Sequence, residues 1–337
     1  MVKAGVKAAL VALSLGLCGG GAGAETPAAN GANPANLGLA EGGLAKARGQ
    51  AWLSQERVTL GWGRIFSNDQ LGDGEDRWRS GSYTVSRLRG PFWQGHGAAQ
   101  FGDVIEFRGH AAVLAPANLR VPAANDRRYA GLLSLGLATH FGWRGAELAL
   151  GSELALTGPK TGVGGFQKWF HNLANIQPPS AAVLNAQIGN RLHPGVQGEI
   201  GRAWTFGGVT ARPFAEARLG VESLVRLGAD MTIGQFGQAG LMLRDVTTGQ
   251  RFRGIEGNRS EGLSLTLGGD LAHVFDSALL PSGGAATREE ARYRLRAGLH
   301  WQGKRAAAFY GVSYLSPEFA EQPEGQWVGA LSLNLRF

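Results

Sequence analysis

The sequence predicts an all-β protein, a twelve-stranded antiparallel transmembrane β-barrel with one helix in an outer loop. Three observations carry this. First, apolar residues alternate with polar or small ones: between 292 and 302, Arg292, Arg294, Arg296, His300 and Gln302 oppose Tyr293, Leu295, Leu299 and Trp301. A period of two is that of a strand with unlike faces. Three arginines on one face suit a charged lumen and would be costly in a dry sandwich core. Second, beyond the first two dozen residues no apolar run approaches the roughly 20 residues that a spanning helix needs. Third, 54 glycines among 337 residues are too many for a helical protein and suit tight turns and crowded inward faces.

The N-terminal segment stands apart from this pattern. Lys3 and Lys7 precede an apolar run from Ala8 to Leu17, and Ala22-Gly23-Ala24 is a small-residue cleavage site. Residues 1–24 therefore read as a secretory signal peptide rather than a membrane helix. Cys18, the single cysteine, lies inside it. A lipid anchor on Cys18 is the alternative, but Leu17 is bulky where such anchors carry a small residue. Without Cys18 the mature chain has no thiol, which excludes disulfides, cysteine catalysis and thiolate metal sites. Residues 25–50, rich in Ala, Gly, Asn and Pro, read as a flexible periplasmic lead, leaving 51–337 as one barrel domain. The net charge is +7, but the basic residues are scattered singly, so a nucleic-acid partner is not expected. The expected setting is a Gram-negative outer membrane, as a monomer.

The twelve expected strands are 57–66, 82–89, 102–114, 128–141, 146–157, 195–206, 208–222, 224–236, 262–276, 289–302, 305–316 and 326–337. The clearest besides 292–302 are 104–113, where Val104, Glu106, Arg108 and His110 oppose Ile105, Phe107, Gly109 and Ala111, and 146–157, where Glu147 and Glu153 oppose leucines. The last alternates Trp327, Gly329, Leu331, Leu333, Leu335 and Phe337 with Val328, Ala330, Ser332, Asn334 and Arg336. The stretch 237–262 fits the count least well. An even count puts both termini on the periplasmic side. Segments 67–81, 115–127, 158–194, 277–288 and 317–325 then fall outside, and Gly142-Trp143-Arg144-Gly145, Gly207-Gly208 and Gly303-Lys304 are short periplasmic turns. The helix is expected in 158–194, after Pro159 and before Pro178-Pro179. There Phe166, Trp169, Phe170 and Leu173 fall at i, i+3, i+4 and i+7, with Gln167 and His171 on a neighbouring face.

The common signatures of soluble enzymes, G-x-S-x-G, H-E-x-x-H and the phosphate loop, are absent. Three outer segments concentrate unusual polar residues. One is Ser67-Asn68-Asp69-Gln70, continued by Asp76-Arg77-Trp78-Arg79-Ser80-Gly81. Another is Asn125-Asp126-Arg127-Arg128-Tyr129-Ala130-Gly131. The third is Gly158-Pro159 followed by Gln167-x-x-x-His171.

With the step Ser316-Pro317-Glu318-Phe319, these motifs in this order make the chain resemble the outer-membrane lipid A 3′-O-deacylases, over about 57–337. The resemblance implies a twelve-stranded barrel with its site between the wall and the loop helix. It further implies action on lipopolysaccharide, hydrolysing an ester-linked 3′-acyl (acyloxyacyl) chain with calcium as cofactor. Carried over residue by residue, the catalytic set is Asn68, Asp69, Ser80 and His171, with Asn68 and Asp69 as metal ligands. In that reading His171 deprotonates a water and lies within a few ångströms of Asp69 and Ser80. Calcium stabilises the oxyanion, and Ser80 hydrogen-bonds the metal shell or the ester. Arg120, Arg127, Arg128 and Gln167 are candidate substrate-binding residues. The chain departs from the family pattern at Gly164 and Gly165, where acidic or amide residues are usual, and at Gln177, often Glu.

Each residue also has a plainer reading: His171 as a surface helix residue, Asn68-Asp69 as a turn, and the three arginines as solvated rim charges. Phe166, Trp169 and Phe170 suit packing or the membrane interface. A small porin-like channel and a catalytically inactive barrel of the same family stand as alternatives to the enzyme. An outer-membrane phospholipase would need a serine nucleophile paired with a histidine in the barrel wall, and no such pair is evident.

Overall fold

The computed structural model describes residues 56–96, 99–122 and 124–335. The expected signal peptide with Cys18, the lead at 25–50 and Phe337 lie outside the described residues. In chain order the strands are β1 (Val58–Asn68), β2 (Trp78–Gly90), β3 (Val104–Ala115), β4 (Ala130–Trp143), β5 (Ala146–Thr157), β6 (Arg191–Gly201), β7 (Trp204–Phe206), β8 (Val209–Leu219), β9 (Glu222–Ile233), β10 (Leu241–Arg244), β11 (Arg251–Ile255), β12 (Gly262–Ser277), β13 (Ala291–Gln302), β14 (Ala306–Leu315) and β15 (Gln326–Leu335). Two helices, α1 (Val163–Ala174) and α2 (Ala181–Asn185), lie between β5 and β6.

All strands but β10 and β11 form one antiparallel sheet, closed by the pairing of β1 with β15 and of β6 with β8. After a break at 202–203, β7 continues β6 along β8, so twelve strands make the wall, as expected. Closure leaves no open edge, which is why a sheet of this kind can stand in lipid. Among the described residues no helix is long and apolar enough to cross a membrane. Crossing falls to the strands. On β13, Leu295 is 56% exposed and its neighbour Arg296 6%, the outward-apolar, inward-charged alternation that the sequence predicts. The inward arginines are paired: Arg296 Nη2 lies 2.6 Å from Asp230 and Arg294 Nε 3.0 Å from Asp270.

The awkward stretch 237–262 is not wall. It contains the separate hairpin β10–β11, which fills the lumen. Leu241, Leu243, Phe252 and Ile255 pack with Ile65, Leu88, Val104 and Ala330 of the wall. Arg244 bridges Glu199 at 2.7 Å and Asp230 at 2.8 Å. Near the hairpin tip Arg294 donates to Val246 O at 2.9 Å. Gln250 Nε2 donates to Ala297 O and Val312 O, both at 3.1 Å. The hairpin approaches β1 so closely that a Cβ at Gly61 would stand 2.2 Å from Gly254 O, which only glycine allows.

At the end that carries the connections 69–77, 116–129, 158–190, 278–290 and 316–325, the lumen is capped by ion pairs. Glu318 meets Arg79, Arg127 and Arg292, and Glu222 meets Arg79 and Arg292. Here β2 begins at Trp78 rather than 82, and β6 at Arg191 rather than 195. The ladders run on past the alternating band, and backbone pairing leaves no periodic mark in the side chains.

Candidate active site

The candidate residues meet at this end, between the start of β2 and α1. The left-handed Gly162, φ 72°, precedes α1. Val163, Gln167 and His171, four residues apart, form its buried face, whereas Phe166, Trp169 and Leu173 are exposed. Gly164 lets the helix sit close: a Cβ there would lie 3.2 Å from Leu184 and 3.6 Å from the Tyr129 hydroxyl. The departure at 164 thus removes a side chain that would press on Leu184. At Gly165 nothing lies within 4 Å, so that position faces open space.

Five groups form one chain of contacts. The Tyr129 hydroxyl donates to Gln167 Oε1 at 2.8 Å. Gln167 Nε2 lies 3.5 Å from both Asp76 Oδ1 and Ser80 Oγ. The Ser80 hydroxyl donates to Asp76 Oδ1. On its other side Asp76 Oδ2 is 3.2 Å from His171 Nε2. His171 Nδ1 is 2.8 Å from the Gln177 carbonyl oxygen. A carbonyl only accepts, so Nδ1 carries the proton in the neutral ring and Nε2 carries the lone pair. The departure at Gln177 leaves this contact intact, because the backbone makes it. Burial raises the Asp76 carboxyl above its ordinary value, against the lowering by His171 and the Ser80 hydroxyl.

A strained backbone presents Ser80. Trp78 is 1% exposed yet takes a φ of 50°, a left-handed conformation that costs a bulky residue roughly 1–2 kcal/mol. Packing with Leu280, Ala286 and Phe319 holds it there, and Arg77 lies 4.3 Å over its ring. The β2–β3 register shifts between Trp78 and Gly81. Strain of this kind persists only where the surroundings over-determine it.

The expected residues are brought together only in part. His171, Ser80 and Gln167 converge on Asp76. Asn68 joins them through the backbone, its Nδ2 donating to Ser80 O at 2.8 Å while its Oδ1 accepts from Gln70 N at 2.9 Å. Asp69, expected within a few ångströms of His171, takes no part in this chain of contacts. It is fully buried and staples its own loop: Oδ1 accepts from Gln70 N at 2.9 Å, and Oδ2 from Arg77 N at 2.7 Å and Gln326 Nε2 at 3.4 Å. Burial and the neighbouring charge of Asp76 push its carboxyl well above the ordinary range, outweighing those backbone N–H groups. A calcium ion takes about 6–8 oxygens. With both Asp69 oxygens engaged, and no cluster of three or more His, Cys, Asp or Glu side chains that could hold a metal among the described residues, the Asn68–Asp69 pair does not fit the ion as it stands.

The arginines separate. Arg127 is 2% exposed and bound to Glu318, so it is part of the cap and cannot reach a lipid phosphate as expected. Arg120 and Arg128 are exposed, and Arg120 Nη2 donates to Gln177 Oε1 at 3.2 Å. The sequence reading assigned no role to Asp76 or Tyr129, although each lies in a motif it singled out. The four-residue step from Asp76 to Ser80 was the available signal.

The comparisons with known proteins extend this. A family model described as "Outer membrane protein LpxR" matches residues 78–337. The chain belongs to the LpxR family. This is the lipid A deacylase family that the motifs resemble. The match includes Ser80, Gln167 and His171 and begins after Asn68, Asp69 and Asp76. Among solved structures, LpxR from Salmonella typhimurium aligns with a TM-score of 0.64 at 16% identity, covering 84% of this chain and 100% of that one, a likeness in fold. The β domain of the Bordetella autotransporter BrkA aligns at a TM-score of 0.38 and 13% identity, covering 82% of this chain and 98% of that one. The translocator domain of NalP from Neisseria meningitidis gives 0.38 and 9%, covering 88% and 96%. No curated protein matches the sequence.

Proposed function

We propose that this LpxR-family barrel is a lipid A deacylase, hydrolysing an ester-linked 3′-acyl (acyloxyacyl) chain of lipopolysaccharide in the outer leaflet, with the site facing outside. The observation that carries the reading is the meeting of His171 with Ser80, through Asp76, on a helix beside the barrel wall. His171 Nε2 takes a proton from a water as its oxygen bonds to the ester carbonyl carbon. The protonated ring then returns the proton to the leaving alkoxide as the ester C–O bond breaks, giving a fatty acid and a free hydroxyl. Gln167 Nε2, whose two contacts are long, would donate to the carbonyl oxygen as it gains charge. The exposed Phe166, Trp169 and Leu173 would lie among the acyl chains, and Arg120 and Arg128 would meet the lipid phosphates.

Calcium dependence, implied by the resemblance, is a separate proposal, and no step above runs through the ion. Bound near Asp69 it would supply Lewis-acid charge, provided Asp69 first releases the Arg77 N–H. A channel reading is not favoured, because the hairpin β10–β11 occupies the lumen. The test is to incubate lipopolysaccharide with the purified protein in detergent. Release of one fatty acid, absent from mock-purified membranes, is expected; no release overturns the reading.

A further inference from the structure

Asp76 links Ser80, Gln167 and His171, and it stands outside both the catalytic set implied by the resemblance and the residues matched by the family model. Its two oxygens differ. Oδ1 is fixed by the Ser80 hydroxyl and faces the Gln167 amide, which Tyr129 anchors in turn. Oδ2 is buried and makes no hydrogen bond, although it lies 3.2 Å from His171 Nε2. A pair so close without hydrogen-bond alignment keeps Oδ2 off the lone-pair axis of Nε2. When Nε2 takes up a proton, the new positive charge arises beside a carboxylate oxygen that has no other partner. The pairing is stronger in the protonated state than in the resting one, which is what accelerates a proton transfer.

We propose that Asp76 is the positioning residue of His171 in its protonated form: the Gln177 carbonyl orients the ring through Nδ1, and the Asp76 Oδ2 beside Nε2 offsets the charge that arises there. In the sequence reading the carboxylate expected near His171 was Asp69, as a metal ligand. The proposal rests on His171 being the base, so the experiment separates the two.

Purified wild-type, D76N, D76E and H171A proteins are compared for kcat and KM on lipopolysaccharide, with folding checked by heat-modifiable migration in gels. D76N keeps the shape and removes the charge. Its kcat should fall by about 10²–10³-fold, the range for losing one preorganised electrostatic group, with KM nearly unchanged. D76E should recover part of the loss. Wild-type kcat in folded D76N, beside an inactive H171A, overturns the role of Asp76 and leaves His171 as the base. Turnover in H171A overturns the base reading and this inference with it. Should D76N fail to fold, D76E decides: reduced kcat at constant KM supports the role, and wild-type kcat overturns it.

Discussion

At Asp69 the hydrogen bonds to Gln70 N and Arg77 N close the turn between β1 and β2, and that turn carries Asp76. Asp69→Ala should therefore act at a distance: Gln70 N keeps Asn68 Oδ1, but the half-buried Arg77 N–H is freed at about 1–3 kcal/mol, and Asp76 and Ser80 should lose their places. The expected result is a kcat loss accompanied by faster proteolysis within 69–77. A fall in kcat with the loop still protected would instead point to a direct chemical role. Calcium is tested on the same residue. Deacylation lost in excess chelator and restored by calcium supports the ion; unchanged deacylation removes it and leaves His171 in place. Gln177→Ala should keep turnover within about twofold of wild type, because the carbonyl, not the side chain, holds Nδ1 in its tautomer. Sequence pattern singled out His171, Ser80 and Gln167 because their motifs specify side chains, and the fold brings these three together on Asp76. It is silent on the contacts of Asp69, because the backbone N–H groups that claim a carboxylate leave no trace in the letters around it.

Among the elements, α1 was legible from its apolar spacing and bounding prolines, as were the twelve wall strands from their alternation. The hairpin β10–β11 was not. Its arginines and glycines face a lumen that is itself charged, so the contrast between two faces that marks a wall strand is missing. The rim cap was equally hidden, since its members come from separate connections and strands. Burial alone would raise the Glu318 carboxyl, but Arg79, then Arg127 and Arg292, hold it down to about 2 from an ordinary 4.5. A carboxyl depressed in the folded state stabilises above its ordinary value, and this contribution is lost as pH falls from 4.5 toward 2. Glu318→Gln leaves the buried Arg127 guanidinium without a carboxylate, while Arg79 and Arg292 keep Glu222, a loss of about 3–5 kcal/mol. It should lower the temperature at which the barrel changes gel migration at pH 7. It should also flatten the acid sensitivity of that temperature below pH 4.5. An unchanged transition temperature would show that the cap is not a stabilising element.

As a whole the molecule is a closed wall around a filled interior, with its convergent polar side chains at one rim. Reconstituted in planar bilayers it should conduct little. Replacing 241–255 with a short flexible linker should open steps of conductance, and comparable conductance in the intact protein would restore the channel reading. The central claim is that His171 takes the proton from the attacking water. The most direct measurement is mass spectrometry of lipid A from cells carrying wild-type protein or His171→Ala at equal outer-membrane abundance. The account predicts lipid A short of one ester-linked acyl chain with the wild type and the full complement with His171→Ala. Loss of the same chain in both would contradict it.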